Sequence, residues 1–536
     1  MSSSNQTISE VSDLSKSEIR IDLNRTIAPV DTRIYSGFIE HLGRCIYGGV
    51  VDYDNEDKTK INEKGYRVDV LEAIQELEMP VIRWPGGNFV SNYHWEDGIG
   101  PLNERKIRPE LAWSSDKKKF EEPNSFGTDE FLQYCEDNQF EPYLCLNMGT
   151  GTLQEALAWV EYCNGDGNTY YANLRRKNGR DKPWNVKYWG LGNEMWGEWQ
   201  ICARSKEDYA NLAFEWAKAI KVLDQKVQLI SCGCTGYNAE WDYHIIMKLA
   251  KIVDFHSIHI YTSSSDYYKN VTSTAAAEQA IQITSKLIDL ATINYPATST
   301  SVDGKIIEKP PIKICFDEWN VWDPVRADGS IGCEEQYTLS DALAVGSWLN
   351  VFIRQCQSLG MCNIAQLVNV IAPIMSKPDG LFLQTTYHPL KLFCKYMKNG
   401  DSLNLHVKTP LYKGPTGNDW DKNLEWATIT DKKITMLDTS AILKTDTDKT
   451  TIYLAVVNRS LDQDSKTKIL FNEESGSIKE IYKWEVYHDD VKATNTYDKP
   501  DVVGIVEEKV EVSGTEYKVE LEFKKHSFTL VKLVLE

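Results

Sequence analysis

The sequence predicts an α/β protein built on a closed (β/α)8 TIM barrel and completed by an all-β sandwich. Three observations carry this reading. Eight short apolar runs alternate with amphipathic segments of helical spacing between residues 31 and 398. Charged and amide side chains gather at the C-terminal ends of those runs, where such a barrel places its functional groups. After about Asn399 the helical rhythm gives way to period-two alternation rich in Val, Ile, Tyr and Thr.

Taken in order, residues 1–17 are polar and read as a disordered tail. Glu18–Leu23 alternates like a half-exposed strand, and the segment 18–30 is expected to join the distant β-sandwich and tie the termini together. The eight barrel strands are expected at Ile34–Ile39, Val81–Trp84, Tyr143–Leu146, Val186–Leu191, Val227–Ser231, Phe255–Ile260, Ile312–Phe316 and Ile364–Val370. Helices are expected at Tyr66–Leu77, Thr128–Asn138, Leu153–Tyr162, Lys206–Leu223, Trp241–Ile252, Ala275–Leu290, Ser340–Gln357 and Pro389–Met397. An open doubly wound sheet is the alternative, but no glycine-rich GxGxxG turn follows the first strand. Residues 399–536 form the sandwich, with strands at Thr451–Val457, Lys468–Phe471, Ile478–Val486 and Tyr517–Phe523 and a hairpin turn in Val512-Ser513-Gly514-Thr515. A stabilising partner for the barrel is the expected role of this domain.

Composition narrows the class. A chain of 536 residues exceeds one ordinary core and fits two domains. A formal charge of −19 repels phosphates, which argues against nucleic-acid and anionic-membrane partners and is compatible with a neutral substrate. The 16 Trp include several near the carboxylates discussed below, where indoles can stack on the apolar faces of sugar rings. No stretch approaches the ~20 apolar residues that span a bilayer. The polar N-terminus lacks the basic-then-apolar plan of a secretory signal, and the 12 cysteines are scattered, so a reduced, cytoplasmic setting is expected. Cys232-Gly233-Cys234 has the wrong spacing for half a zinc site and no second pair complements it, and no cofactor is expected.

The strand ends carry the chemistry. The first ends at Glu40-His41, the second at Arg83-Trp84-Pro85-Gly86-Gly87-Asn88, the third at Asn147 and the fourth at Asn193-Glu194. The sixth ends at His259-Ile260-Tyr261, the seventh at Asp317-Glu318, and the eighth at Gln366 and Asn369. Turn formation alone explains Asn147 and Asn369. One strand-end Glu is more often an ordinary ion-pair partner than a catalyst. Glu194 and Glu318, each followed closely by an indole, form a pair that only a barrel mouth would unite, and two facing carboxyls are the minimal machinery for breaking a glycosidic bond. A retaining reaction requires them ~5 Å apart, one charged for attack and the other holding a proton, which predicts a bell-shaped pH profile for kcat/KM. A carbohydrate-binding protein on an inactive barrel is the rival reading, although it could dispense with either glutamate.

Six blocks in this order are similar to glycoside hydrolase family 51, composed mainly of α-L-arabinofuranosidases: Glu40-His41-Leu42-Gly43-Arg44, Arg83 to Phe89, Tyr93 to Pro101, Gly192 to Met195, Asp317 to Trp322 and Asn369 to Ile374. The resemblance runs from about residue 18 to the C-terminus. It implies a retaining, exo-acting, metal-free hydrolase that removes terminal non-reducing α-L-arabinofuranosyl residues from arabinan, arabinoxylan or derived oligosaccharides. It also implies an intracellular homo-oligomer, often a hexamer. Glu194 takes the place of the acid/base and Glu318 that of the nucleophile. Glu40, Asn88, Asn193, Tyr261 and Gln366 match positions that hold the furanose ring and the nucleophile, and Trp322 matches a wall of the subsite. Arg83 and His259 are further candidates for substrate binding. The family's aromatic-Arg-Gln step before the last helix is replaced here by Leu381-Phe382-Leu383-Gln384. A retaining β-glycanase or β-glycosidase of the same barrel clan is the runner-up among enzymes, because that clan shares the strand-four Asn-Glu.

Overall fold

The computed structural model describes residues 6–536 apart from 117, 295–297, 301–305, 309, 330–331, 416–432, 446–448, 473–475, 513 and 516. Eight parallel strands close into a barrel. They are β1 (Ser36–Phe38), β2 (Val81–Trp84), β3 (Glu141–Cys145), β4 (Tyr188–Leu191), β5 (Gln228–Ser231), β6 (Phe255–Thr262), β7 (Lys313–Val321) and β8 (Leu359–Ala365). The outer helices are α1 (Val68–Glu76), α2 (Thr128–Asn138), α3 (Leu153–Asn164), α4 (Lys206–Leu223), α5 (Ala239–Leu249), α6 (Thr274–Asn294), α7 (Leu339–Arg354) and α8 (Tyr387–Tyr396). Several begin at a side-chain cap that satisfies an otherwise orphaned N–H: Thr152 for α3, Ser205 for α4, Asn238 for α5 and Thr338 with Asp341 for α7.

One barrel strand lies elsewhere than expected. The eighth covers Leu359–Ala365, not Ile364–Val370. Both runs are apolar and buried, but the sheet needs a residue without a side chain where β8 crosses its neighbours. A Cβ on Gly360 would stand 2.7 Å from atoms of Lys313 and of Phe255. Leu367 to Val370 are buried as a loop over the mouth of the barrel.

The β domain consists of two sheets. One orders Thr7–Glu10, His406–Thr409, Glu18–Ile21, Ser465–Phe471, Lys518–Phe523 and Gly514–Thr515; the other orders Ile505–Val510, Ile478–Val486, Ser527–Leu535, Thr450–Asn458, Leu437–Thr445, Asp401–Leu403 and Thr26–Pro29. Leu454, Val456, Ile469, Leu521 and Leu533 are among the side chains packed in its core. Glu18–Ile21 lies beside His406–Lys408 and, parallel, beside Lys468–Phe471. The expectation of a disordered tail through residue 17 requires correction. Thr7–Glu10 pairs with His406–Thr409, and Leu14 is buried. Main-chain hydrogen bonds to an exposed strand edge order this segment, and such bonds leave no hydropathy signal. Ser513 of the expected hairpin turn lies outside the described residues, while Thr515 pairs with Lys518 beyond it.

Helix α7 joins the two units and is buried on nearly all sides, as its continuous apolar sequence requires. A Cβ on Gly346 would meet Phe528 of the sandwich at 3.1 Å. Beside it, Asp438 receives Arg354 Nη1 at 2.9 Å and Asn350 Nδ2 at 3.1 Å, with Arg459 Nη2 3.5 Å away. Asp438→Ala strips the carboxylate from two buried guanidiniums, and is expected to cost about 3–5 kcal/mol in a denaturant titration. A change below about 1 kcal/mol would show that the charges at this seam are already solvated.

Candidate active site

The barrel interior is plugged below the site by Val81, Tyr143, Tyr188, Ile230, Phe255, Cys315 and Met361. Above this layer opens a cavity of about 980 Å³. Its lining includes Glu40, Asn88, Glu194, His259, Tyr261, Glu318, Trp322 and Gln366. Eight of the ten residues picked out by sequence therefore face one space. The other two, Arg83 and Asn193, lie just beneath it and are almost wholly buried.

An oxygen of Glu194 and an oxygen of Glu318 lie within 4.8 Å of each other, with His259 Nδ1 completing the triangle. Glu194 sits past the end of β4 with φ +44°, a left-handed conformation that disfavours side chains with a Cβ by about 1–2 kcal/mol. Its main-chain oxygen accepts Gly197 N at 2.7 Å, which helps to hold the strained turn. Glu194 Oε1 is 3.0 Å from His259 Nδ1, and Oε2 accepts the indole N–H of Trp199 at 2.9 Å.

Glu318 is buried between cations. Arg83 Nη1 donates to Oε1 at 2.8 Å, and Tyr261 OH donates to Oε2 at 2.8 Å. Burial pushes the Glu318 carboxyl up and Glu194 adds to the rise, against the pull of His259 and Arg83. Arg83 Nη2 also donates to Asn193 Oδ1 at 2.6 Å, fixing that amide and leaving Nδ2 as its free end. Asn193 Nδ2 is buried without a hydrogen-bond partner among the described residues. An unpaired donor beside two carboxylates is a place for a ligand oxygen.

Glu40 stands opposite. Gln366 Nε2 donates to its Oε2 at 2.8 Å, Phe89 N to its Oε1 at 3.1 Å, and Trp113 Nε1 approaches Oε1 at 3.4 Å. Burial, with the charge of Glu318, pushes the Glu40 carboxyl up to about 8 despite these donors.

Asp317, adjacent to Glu318, is buried as well. In a regular strand the two would face opposite sides. Strand β7 instead carries one extra residue here: Ser257 and His259 of β6 pair with Cys315 and Glu318, and the register against β8 shifts likewise between Phe316 and Trp319. The bulge brings both acids inside. Asp317 Oδ2 accepts Tyr143 OH at 2.7 Å, and Oδ1 is reached by the Ser257 hydroxyl and by His259 Nε2, the latter at 3.1 Å. Burial would raise this carboxyl, but Arg83 and His259 outweigh it and hold Asp317 far below the ordinary range.

Burial disfavours charge on His259, yet Glu318 and Asp317 prevail and hold its imidazole up to about 10. Relative to an ordinary value of 6.5, this contributes stability that is complete below pH 6.5 and is lost as pH rises towards 10. The fall is at most about 1.4 kcal/mol per pH unit. The loss of Tm between pH 7 and pH 10 should therefore be smaller in His259→Asn than in the wild type; parallel curves would mean that His259 is neutral in the folded protein.

Sequence reasoning missed Trp113, Trp199 and Asp317 as site members. Trp113 lies in the irregular insertion after β2, where no periodicity marks it, and its turn is made by Glu110, which accepts Ala112 N and Trp113 N at 2.7 and 2.8 Å. Gly87 stands in the motif that follows β2. A Cβ there would stand 2.9 Å from Glu318 Oε1 and 3.6 Å from Glu40 Oε2. Gly87→Ala should cut kcat/KM by about 10- to 100-fold while Tm changes little, because the methyl enters the ligand space rather than the core. Unchanged kinetics would show that substrate does not occupy this corner. Asn147 forms a turn as expected, its Oδ1 accepting Gly149 N and Thr150 N, whereas Asn369, with φ +60°, also ties its loop to the first strand end by donating Nδ2 to Arg44 O. Gln384, which lacks a preceding Arg, is fully engaged with Tyr337, Glu335 and Ala372.

Glu194, His259 and Glu318 are close enough together for a cation to be considered. Asp317 adjoins Nε2 of His259 and Glu194 adjoins Nδ1; protonated at both nitrogens, as those carboxylates favour, the ring would have no lone pair for a metal.

Residues 73–279 match the family model described as α-L-arabinofuranosidase 1 domain, and residues 317–527 the one described as α-L-arabinofuranosidase C-terminal domain. The chain is 48% identical to a probable α-L-arabinofuranosidase C of Aspergillus clavatus over 98% of this chain and 99% of the relative. It is 33% identical to an intracellular exo-α-(1→5)-L-arabinofuranosidase of Acetivibrio thermocellus, over 84% of this chain and 86% of that protein. Its fold superposes on the thermostable GH51 α-L-arabinofuranosidase of Thermotoga petrophila with a TM-score of 0.82 at 37% identity, covering 96% of this chain and all of that one.

Proposed function

The chain belongs to the α-L-arabinofuranosidases of glycoside hydrolase family 51, and from this premise we propose that Glu318 and Glu194 carry out the hydrolysis as nucleophile and acid/base. The enzyme is a retaining, exo-acting α-L-arabinofuranosidase. It releases terminal non-reducing arabinofuranosyl residues from arabinan, arabinoxylan or oligosaccharides derived from them. The observation that carries the site assignment is the approach of the two carboxylates within 4.8 Å over the cavity. An oxygen-to-oxygen approach of this size fits the close carboxyl pair of a retaining enzyme better than the wider pair that admits an attacking water.

In the first step an oxygen of Glu318 attacks the anomeric carbon, the glycosidic bond breaks, and the departing oxygen takes a proton from Glu194. Glu318 becomes a neutral ester and Glu194 a carboxylate. In the second step a water oxygen attacks the same carbon, its proton passes to Glu194, and the ester electrons return to Glu318. Asn193 Nδ2 donates to the sugar 2-hydroxyl, a bond that tightens as positive charge grows at the anomeric carbon. Glu40, Asn88 and Gln366 bind the other ring hydroxyls, Tyr261 orients the nucleophile and Trp322 walls the subsite. Arg83 orients Glu318 and Asn193 from below rather than touching sugar, which its position outside the cavity lining supports.

A panel of aryl glycosides tests this reading. Rapid release from the α-L-arabinofuranoside, with aryl β-glucoside and β-xyloside far slower, is expected. A preference for the β-linked pyranosides would favour the β-glycanase reading, and no turnover of any would favour a binding protein. Among the described residues no helix is long and apolar enough to cross a membrane. A cytoplasmic location is the reading that twelve unpaired cysteines support. A homo-oligomer, by family resemblance a hexamer, is the expected assembly, and sedimentation equilibrium would give its mass.

A further inference from the structure

His259 has one ring nitrogen at the junction of the two catalytic carboxylates. Nδ1 lies 3.0 Å from Glu194 Oε1 and 3.6 Å from Glu318 Oε2. The other nitrogen, Nε2, is 3.1 Å from Asp317 Oδ1 and 3.1 Å from Ser257 Oγ. Its main-chain N–H donates to Cys234 O at 2.9 Å, which fixes the residue against β5. The charged groups that meet it are thus Glu194 from β4, Asp317 and Glu318 from β7 and, through those last two carboxylates, Arg83 from β2.

We propose that His259 keeps both ring protons throughout turnover and that its Nδ1–H serves whichever of Glu318 and Glu194 is ionised. This inference rests on the roles assigned to those two glutamates above. Before attack the negative charge is on Glu318 and the proton on Glu194. In the glycosyl-enzyme Glu318 is an ester, its proton count unchanged at none, and Glu194 is the anion. With an imidazolium between them the trio is neutral in both states. The only proton that crosses the site is the one that Glu194 gives to the departing oxygen and regains from water. Asp317 makes this possible: it takes no part in bond making, accepts three donors and stays ionised, so Nε2 has a permanent acceptor. A donor 3.0 Å from one anion and 3.6 Å from the other needs only a small shift to follow the charge across the sugar, and such preorganisation lowers a barrier. The high imidazole pKa noted above agrees with the geometry. A neutral His259 would instead accept the Glu194 proton at Nδ1 and offer Glu318 nothing.

Neutron diffraction on deuterium-exchanged crystals tests the proposal without altering the residue. Data are collected from the free enzyme and from wild-type enzyme trapped with 2,4-dinitrophenyl 2-deoxy-2-fluoro-α-L-arabinofuranoside. Deuterium on both Nδ1 and Nε2 in both states, with the ester on Glu318, is the expected result. A bare nitrogen in either state, with the ester on Glu318, overturns the proposal while leaving the roles of the glutamates intact. An ester on another residue overturns those roles and the proposal with them. A kinetic arm is independent of crystals. In His259→Asn the burst of dinitrophenolate and the steady-state breakdown of the glycosyl-enzyme should both slow, each by about 10- to 100-fold, as expected for loss of a charge-assisted hydrogen bond. Slowing of one half-reaction alone, or a change in KM alone, contradicts a donor shared by both carboxylates.

Discussion

Glu194→Ala is expected to separate substrates by their leaving groups. With 2,4-dinitrophenyl α-L-arabinofuranoside the departing phenolate needs no proton, so Glu318 still attacks and the first step should slow by about 10-fold or less. With a sugar or another poor leaving group, loss of the acid should cost about 10³- to 10⁴-fold. The glycosyl-enzyme then waits, because water has lost its base. Azide needs no deprotonation and can occupy the space vacated by the carboxylate. It should restore turnover with the dinitrophenyl substrate and yield an arabinofuranosyl azide of retained configuration. Equal losses for both leaving groups, or no azide effect, would contradict the acid/base role.

Glu318→Ala is expected to lose more, about 10⁵-fold or beyond with every substrate, since no covalent route remains. Arg83 keeps Asp317 O and Asn193 Oδ1 as acceptors at 3.1 and 2.6 Å, so the fold should survive and the loss can be read as chemistry. The cavity left by this substitution is on the other face of the sugar from Glu194. Azide entering there should give the inverted product with the help of the surviving acid. Azide products with exchanged configurations would reverse the two roles, and full activity in either variant would remove its glutamate from the mechanism.

The barrel was legible in the sequence because its strands are buried on both faces, and their apolar runs are punctuated by polar strand ends. Strand β8 shows where that signal fails: two apolar runs lie side by side, and only the close approach at Gly360 selects the first. In the sandwich the alternation reveals some strands, but Leu437–Thr445 and Ser527–Leu535 are largely buried and lack it. The site was legible as far as strand ends reach. Glu194 and Glu318 stand out as costly charges at the ends of apolar runs. Asp317 does not, because alternation places a neighbour of Glu318 on the opposite face and only the bulge in β7 brings it inside. Trp113 and Trp199 arrive on loops whose course depends on Glu110 and on the turn after Glu194. Arg83 ends a strand, which makes it a candidate substrate ligand from sequence, but it lies beneath the carboxylates and meets Glu318 rather than the open cavity.

The covalent step is the centre of this account, and the residue that carries the sugar is its most direct test. Glu194→Ala incubated with 2,4-dinitrophenyl α-L-arabinofuranoside should accumulate a glycosyl-enzyme, and peptide mass mapping after an acid quench should place one arabinosyl unit on the Glu318 peptide. A sugar attached to any other residue, or rapid release of dinitrophenolate with no protein-bound sugar at any time, would contradict it.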